Sequence, residues 1–126
     1  MKDRIVLQKI ENYLHRVAIA YQRIKDMDER ALLETETSYA LTQYLTNIHS
    51  LFQNLTSETV STKLFACGIR SLNTCRNISA HDYDALDWFK IKQLCRRLLS
   101  QQTADVLAEC YQIVEQDEAA ETRYAD

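Results

Sequence analysis

The chain has 126 residues, one Gly and no Pro, and a net charge of −3. A fold of many hairpins needs several residues at positive φ, so an all-β architecture is excluded, as is a Gly-rich phosphate loop. An apolar content of 46% with 26% charged residues suits a folded domain and excludes a disordered chain. One domain is the expectation for this length, over residues 1–118, with a frayed tail over 119–126.

Apolar residues recur at helical spacing almost throughout. A first helix is predicted over about residues 3–25, with Ile10, Tyr13, Leu14, Val17, Tyr21 and Ile24 on one face. Residues 26–36 lose that stripe and read as a loop with room for a short helical turn. A second helix is predicted over about 37–55, capped by Thr37, with the stripe Leu41, Tyr44, Leu45, Ile48, Leu51, Phe52 and Leu55. Ser57 reads as the cap of a third helix, which carries Val60, Leu64, Cys67, Leu72, Cys75 and Ile78. Gly68 lies inside that pattern, where its small size would let another helix approach.

The stripe fails over Ser79 to Asp87, a polar and acid-rich stretch. Asp87 then reads as the cap of a fourth helix bearing Trp88, Ile91, Leu94, Cys95 and Leu98. Val106, Leu107, Cys110, Ile113 and Val114 form a fifth stripe. Residues 100–103 either separate the last two helices or lie within one long helix. The expected fold is all-α, an up-and-down bundle of four to five helices. Trp88 is expected to anchor the fourth helix, and His15 and His49 to be surface or boundary residues.

No run of 18 apolar residues is present, so no membrane span is expected. The first residues lack an apolar signal core, which points to a cytoplasmic protein. The four cysteines show no C-x-x-C spacing and read as buried small hydrophobes, with neither a metal site nor a disulfide. Charge is unevenly spread. Residues 56–101 hold seven Lys/Arg against four Asp/Glu, whereas the remainder holds eight against fourteen.

The chemistry-bearing stretch is Arg76-Asn77-Ile78-Ser79-Ala80-His81-Asp82-Tyr83. On an unbroken helix Arg76 and His81 would diverge by about 140°. They can act together only where the helix ends, and the stripe does fail after Ile78. Arg offers a permanent planar fork for phosphate oxygens, and His exchanges a proton near neutral pH. The pair therefore suits phosphate chemistry. The plain structural alternative is that both cations stabilise a helix C-terminus.

Arg76-Asn77-x-x-x-His81-x-Tyr83 resembles the signature of the HEPN-domain family, specifically its HepT-like group. The resemblance covers most of the chain in helix count and motif position; outside the motif it is one of pattern. It implies a metal-independent endoribonuclease toxin without a cofactor, acting as a homodimer with two motifs facing one cleft. It implies as partner a cognate nucleotidyltransferase antitoxin that neutralises the toxin by adding AMP to the motif tyrosine.

By that resemblance Arg76 and His81 are catalytic, Asn77 supports the motif, and Tyr83 is the AMPylation site. RNA binding would rest on Arg70, Lys90, Lys92, Arg96 and Arg97, beside Arg76. A related subgroup of nucleotidyltransferase substrate-binding subunits carries similar motifs, so a non-catalytic binding subunit is the alternative. An unrelated helical adaptor is a third reading.

Overall fold

The computed structural model describes residues 2–69, 72 and 86–125. Among these the protein is all-α: α1 (Lys2–Ile24), α2 (Glu29–Glu34), α3 (Glu36–Phe52), α4 (Glu58–Phe65), α5 (Trp88–Leu98) and α6 (Gln101–Ala125). The predicted first, second and fourth helices are present, with boundaries moved by one to three residues. The expected short helical turn within 26–36 is α2.

Helix starts follow from caps. The Asp28 carboxylate accepts the Ala31 N–H at 2.9 Å and opens α2. Thr35, rather than Thr37, caps α3: its hydroxyl accepts the Thr37 N–H at 3.3 Å. Ser57 and Asp87 open α4 and α5 as expected, accepting the Val60 and Lys90 N–H groups.

The third helix is shorter than its stripe suggested. α4 stops at Phe65, and Gly68 follows with φ +107°. The last two stripes belong to separate helices. The hydroxyls of Ser100 and Thr103 both donate to the Arg97 carbonyl, at 2.8 and 3.0 Å, and the helix restarts at Gln101. α6 then remains helical to Ala125, where a frayed tail over 119–126 was expected.

Packing directions can be read from the ties between helices. α3 runs antiparallel to α1, since Tyr13 stands beside Tyr44 and Asp3 reaches Thr56, just beyond α3. α5 also opposes α1: Lys92 reaches the Met27 carbonyl and Arg96 the Tyr21 hydroxyl. α6 continues in the same sense, with Arg4 paired to Glu118 at 2.8 Å. α4 opposes α6, placing Val60 beside Cys110 and Lys63 beside Glu109. Among the described residues the result is four up-and-down arms: α1, α3, α4, and α5 continued by α6.

α1 is the common strut. Its Leu7, Ile10, Val17 and Ile24 are almost fully buried, and it packs against α3, α5 and α6. Leu41, Leu45 and Ile48 of α3 and Leu98 of α5 join the same cluster. Each such aliphatic side chain contributes about 1.5–3 kcal/mol on burial. Trp88 is buried in this cluster, as expected. His15 is exposed, whereas His49 is buried in α3.

Cys67, Cys95 and Cys110 are buried. Burial pushes the Cys67 thiol up, and the Cys110 thiol to about 11. All of this fits packing roles rather than nucleophilic ones. Cys75 lies outside the described residues.

One buried carboxylate ties the ends of three helices. Asp3, in the first turn of α1, accepts the Thr56 N–H and Ser57 N–H, both at 2.9 Å, and the Thr56 hydroxyl at 3.0 Å. It therefore lies at the N-termini of both α1 and α4, where helix dipoles favour an anion. Burial pushes its pKa up, but the hydrogen bonds from Thr56 and Ser57 outweigh this and hold it below the ordinary carboxylate value.

Because the folded value is depressed, the contribution is present above about pH 4 and is lost as pH falls through the folded value. Asp3→Ala should destabilise the protein by about 2 kcal/mol at pH 7 in urea unfolding. The gap between variant and parent should narrow below pH 4; a gap independent of pH would refute the role of the ionised carboxylate.

Candidate functional site

The motif residues Arg76, Asn77, His81 and Tyr83 lie outside the described residues, as does Arg70. The structure does define where the chain leaves α4 before the motif and where it returns after it. On the leading side, Gly68 turns the backbone with a φ that side-chain-bearing residues rarely adopt. A Cβ at Gly68 would stand 3.3 Å from both Leu94 Cδ1 and Arg97 Cδ of α5. The close helix approach expected of Gly68 is therefore real, although it lies past the end of α4 rather than inside it.

Arg97 closes this junction by donating from Nη2 to the Ala66 carbonyl at 2.8 Å. Ile69 and Leu72 are buried just beyond. On the returning side, Leu86 and Trp88 are buried on either side of the exposed Asp87 cap. The two flanks thus meet α5 near its last turn and at its start, about 10–15 Å apart along the helix axis. A shallow groove lined in part by Leu32, Leu86, Trp88 and Lys92 adjoins the returning flank, and Phe89 is 68% exposed there.

α5 itself carries Lys90, Lys92, Arg96 and Arg97 and no acidic residue. These four are the described members of the RNA-binding set expected from sequence. Three also support the fold. Lys92 Nζ donates to the Met27 carbonyl at 2.7 Å, Arg96 Nη1 to the Tyr21 hydroxyl at 3.3 Å, and Arg97 to Ala66.

Arginine has five N–H donors, so one such bond leaves most of each guanidinium available. Both arginines are exposed, and so is Lys90, whose ammonium has no partner among the described residues. The α5 face is therefore a cationic shelf beside the two flanks of the motif. It can attract an anion and position it; proton transfer would have to come from elsewhere.

Among the described residues no three His, Cys, Asp or Glu side chains gather into a metal site, and no helix is long and apolar enough to cross a membrane. Sequence reasoning missed two sets of polar residues. Asp3 gave no signal beyond an acid in a first turn. Lys9, Asn12 and Arg16 did give one, a polar i, i+3, i+7 face on α1. The chain matches no protein-family model, no curated protein and no solved structure.

Two substitutions separate architecture from ligand contact. Gly68→Ala should cost about 2 kcal/mol, from backbone strain and the contact with Leu94 and Arg97. Lys90→Ala should leave the thermal midpoint within a degree or two, since an unpartnered surface cation contributes little. Thermal denaturation of both variants checks this. An unchanged midpoint in Gly68→Ala would contradict the tight junction.

Proposed function

We propose that the protein is a HepT-like HEPN ribonuclease toxin: a metal-independent endoribonuclease, cytoplasmic and homodimeric, held inactive by a nucleotidyltransferase partner. The observation that carries this reading is Arg76-Asn77-x-x-x-His81-x-Tyr83 within an all-helical chain. The cationic α5 shelf, which meets both flanks of the motif segment, supports it.

In this reading Arg76 binds the scissile phosphate and stabilises its developing charge. The RNA 2′-oxygen attacks its own phosphorus, the bond from phosphorus to the 5′-oxygen breaks, and a 2′,3′-cyclic phosphate and a 5′-hydroxyl result. One proton leaves the 2′-hydroxyl and another reaches the departing 5′-oxygen. One motif supplies a single His81, so a symmetric dimer gives the reaction both its base and its acid. Asn77 supports the pair. Lys90, with the outward N–H groups of Arg96 and Arg97, holds neighbouring phosphates.

In this reading control is exerted at Tyr83: its phenolic oxygen attacks the α-phosphorus of ATP on the partner, pyrophosphate leaves, and the added AMP neutralises the toxin. A second reading, a non-catalytic subunit that binds a nucleotidyltransferase, is favoured by Asp82, Asp84 and Asp87, which crowd the motif with negative charge.

Structured RNA incubated in EDTA with unmodified protein should be cut to cyclic phosphate ends. His81→Ala should lower the rate about 10²–10⁴-fold, and Arg76→Ala about 10²–10³-fold. Equal cleavage by parent and both variants would reject the catalytic assignment, and no cleavage by unmodified parent would favour the binding subunit. Intact mass should rise by AMP units after incubation with partner and ATP, and Tyr83→Phe should abolish that rise.

A further inference from the structure

The groove between α1 and α3 is lined by no residue of α5. Lys9, Asn12 and Arg16 line it from α1, and Asn47, Ser50 and Asn54 from α3. Tyr13 and Leu51 complete the lining. The groove encloses about 440 Å³, within the range of small-ligand sites. It holds two cations and no carboxylate, in a chain whose net charge is −3.

The polar side chains of this groove are uncommitted. None of the six makes a hydrogen bond or ion pair within the described protein. The Arg16 guanidinium instead lies over the Tyr13 ring, 5.2 Å from its centroid, and 6.0 Å from that of Tyr44. The two rings are tilted neighbours at 6.1 Å. A guanidinium held beside aromatic rings on an exposed residue is a surface on which a nucleobase can stack. Three carboxamides supply paired donors and acceptors suited to base edges.

Lys9 and Arg16 are two helical turns apart, about 10 Å along the axis. That spacing suits two points on one strand better than a single small anion. We infer that the α1–α3 groove binds a single-stranded RNA segment, with Lys9 and Arg16 on its phosphates and a base stacked on the Arg16–Tyr13 pair. The choice of RNA among polyanions with stackable bases rests on the ribonuclease reading. The groove's charge and its unpaired amides stand independently of it.

The test is fluorescence anisotropy with a labelled twelve-nucleotide single-stranded RNA and full-length His81→Ala protein. The double variant Lys9→Gln/Arg16→Gln should bind about tenfold or more weakly at 50 mM salt. Its dependence of log K on log salt should flatten by about 1.4, for two lost phosphate contacts. Asn47→Asp, which removes no packing, should weaken binding as well, with an unchanged thermal midpoint as its control.

Undiminished binding in the double variant, or no binding by the parent at 50 mM salt, would overturn the site. So would a loss of dimer in the double variant by sedimentation, which would assign the groove to a second copy of the chain. Cleavage by the unaltered protein in EDTA, measured alongside, separates the two ideas. Groove-dependent binding without cleavage sinks the ribonuclease alone, and cleavage with groove-independent binding sinks the groove alone.

Discussion

The turn at Gly68 sets the geometry on which the candidate site depends. It is the only glycine in the chain, and it takes a positive φ immediately after α4. The missing side chain also lets the backbone rest against Leu94 and Arg97. Two demands, a left-handed backbone and a close approach, thus fall on one position that only glycine satisfies well. The consequence is directional. The chain leaves α4 against the last turn of α5 and returns at Asp87 to begin that same helix.

The bundle around that junction is held by two kinds of interaction. Apolar burial along α1 supplies most of the stability, because α1 packs against three other helices. Polar ties then fix direction and register. Asp3 fastens the start of α1 to the start of α4, Lys92 and Arg96 fasten α5 to the far end of α1, and Arg97 fastens α5 to the end of α4. Three cations that sequence assigns to RNA thus also position the helix that carries them. Dual use of this kind is feasible for arginine, whose planar fork can satisfy a carbonyl on one side and a phosphate on the other.

Charge distribution reconciles an acidic protein with the polyanionic ligand proposed for it. The acids concentrate in the N- and C-terminal parts of the sequence, whereas α5 and the α1–α3 groove are free of them. Local field, rather than net charge, governs where an anion settles. The α1–α3 groove and α5 share no residue, so a strand on the one and a phosphate at the other would be two separate contacts. Under the proposed homodimer, one RNA would span both contacts, on one copy or across two.

The helices were legible in the sequence because their apolar stripes are long and periodic, and Ser57 and Asp87 because capping is a local interaction between neighbouring residues. The motif was legible too, as a linear pattern, although its geometry lies outside the described residues. What sequence could not decide is whatever depends on residues far apart in the chain. The stripe through Leu64, Cys67 and Leu72 does not reveal that α4 stops at Phe65, because the stop depends on α5 accepting a glycine at close range.

Nor does a lone aspartate near the start of α1 announce three hydrogen bonds to residues 56 and 57, or Lys9 and Arg16 that they share a groove with Asn47 and Asn54. Local periodicity and capping determine which segments are helical. Only tertiary packing decides which polar groups find partners and which remain open to a ligand, because that outcome is settled by contacts between helices rather than along them.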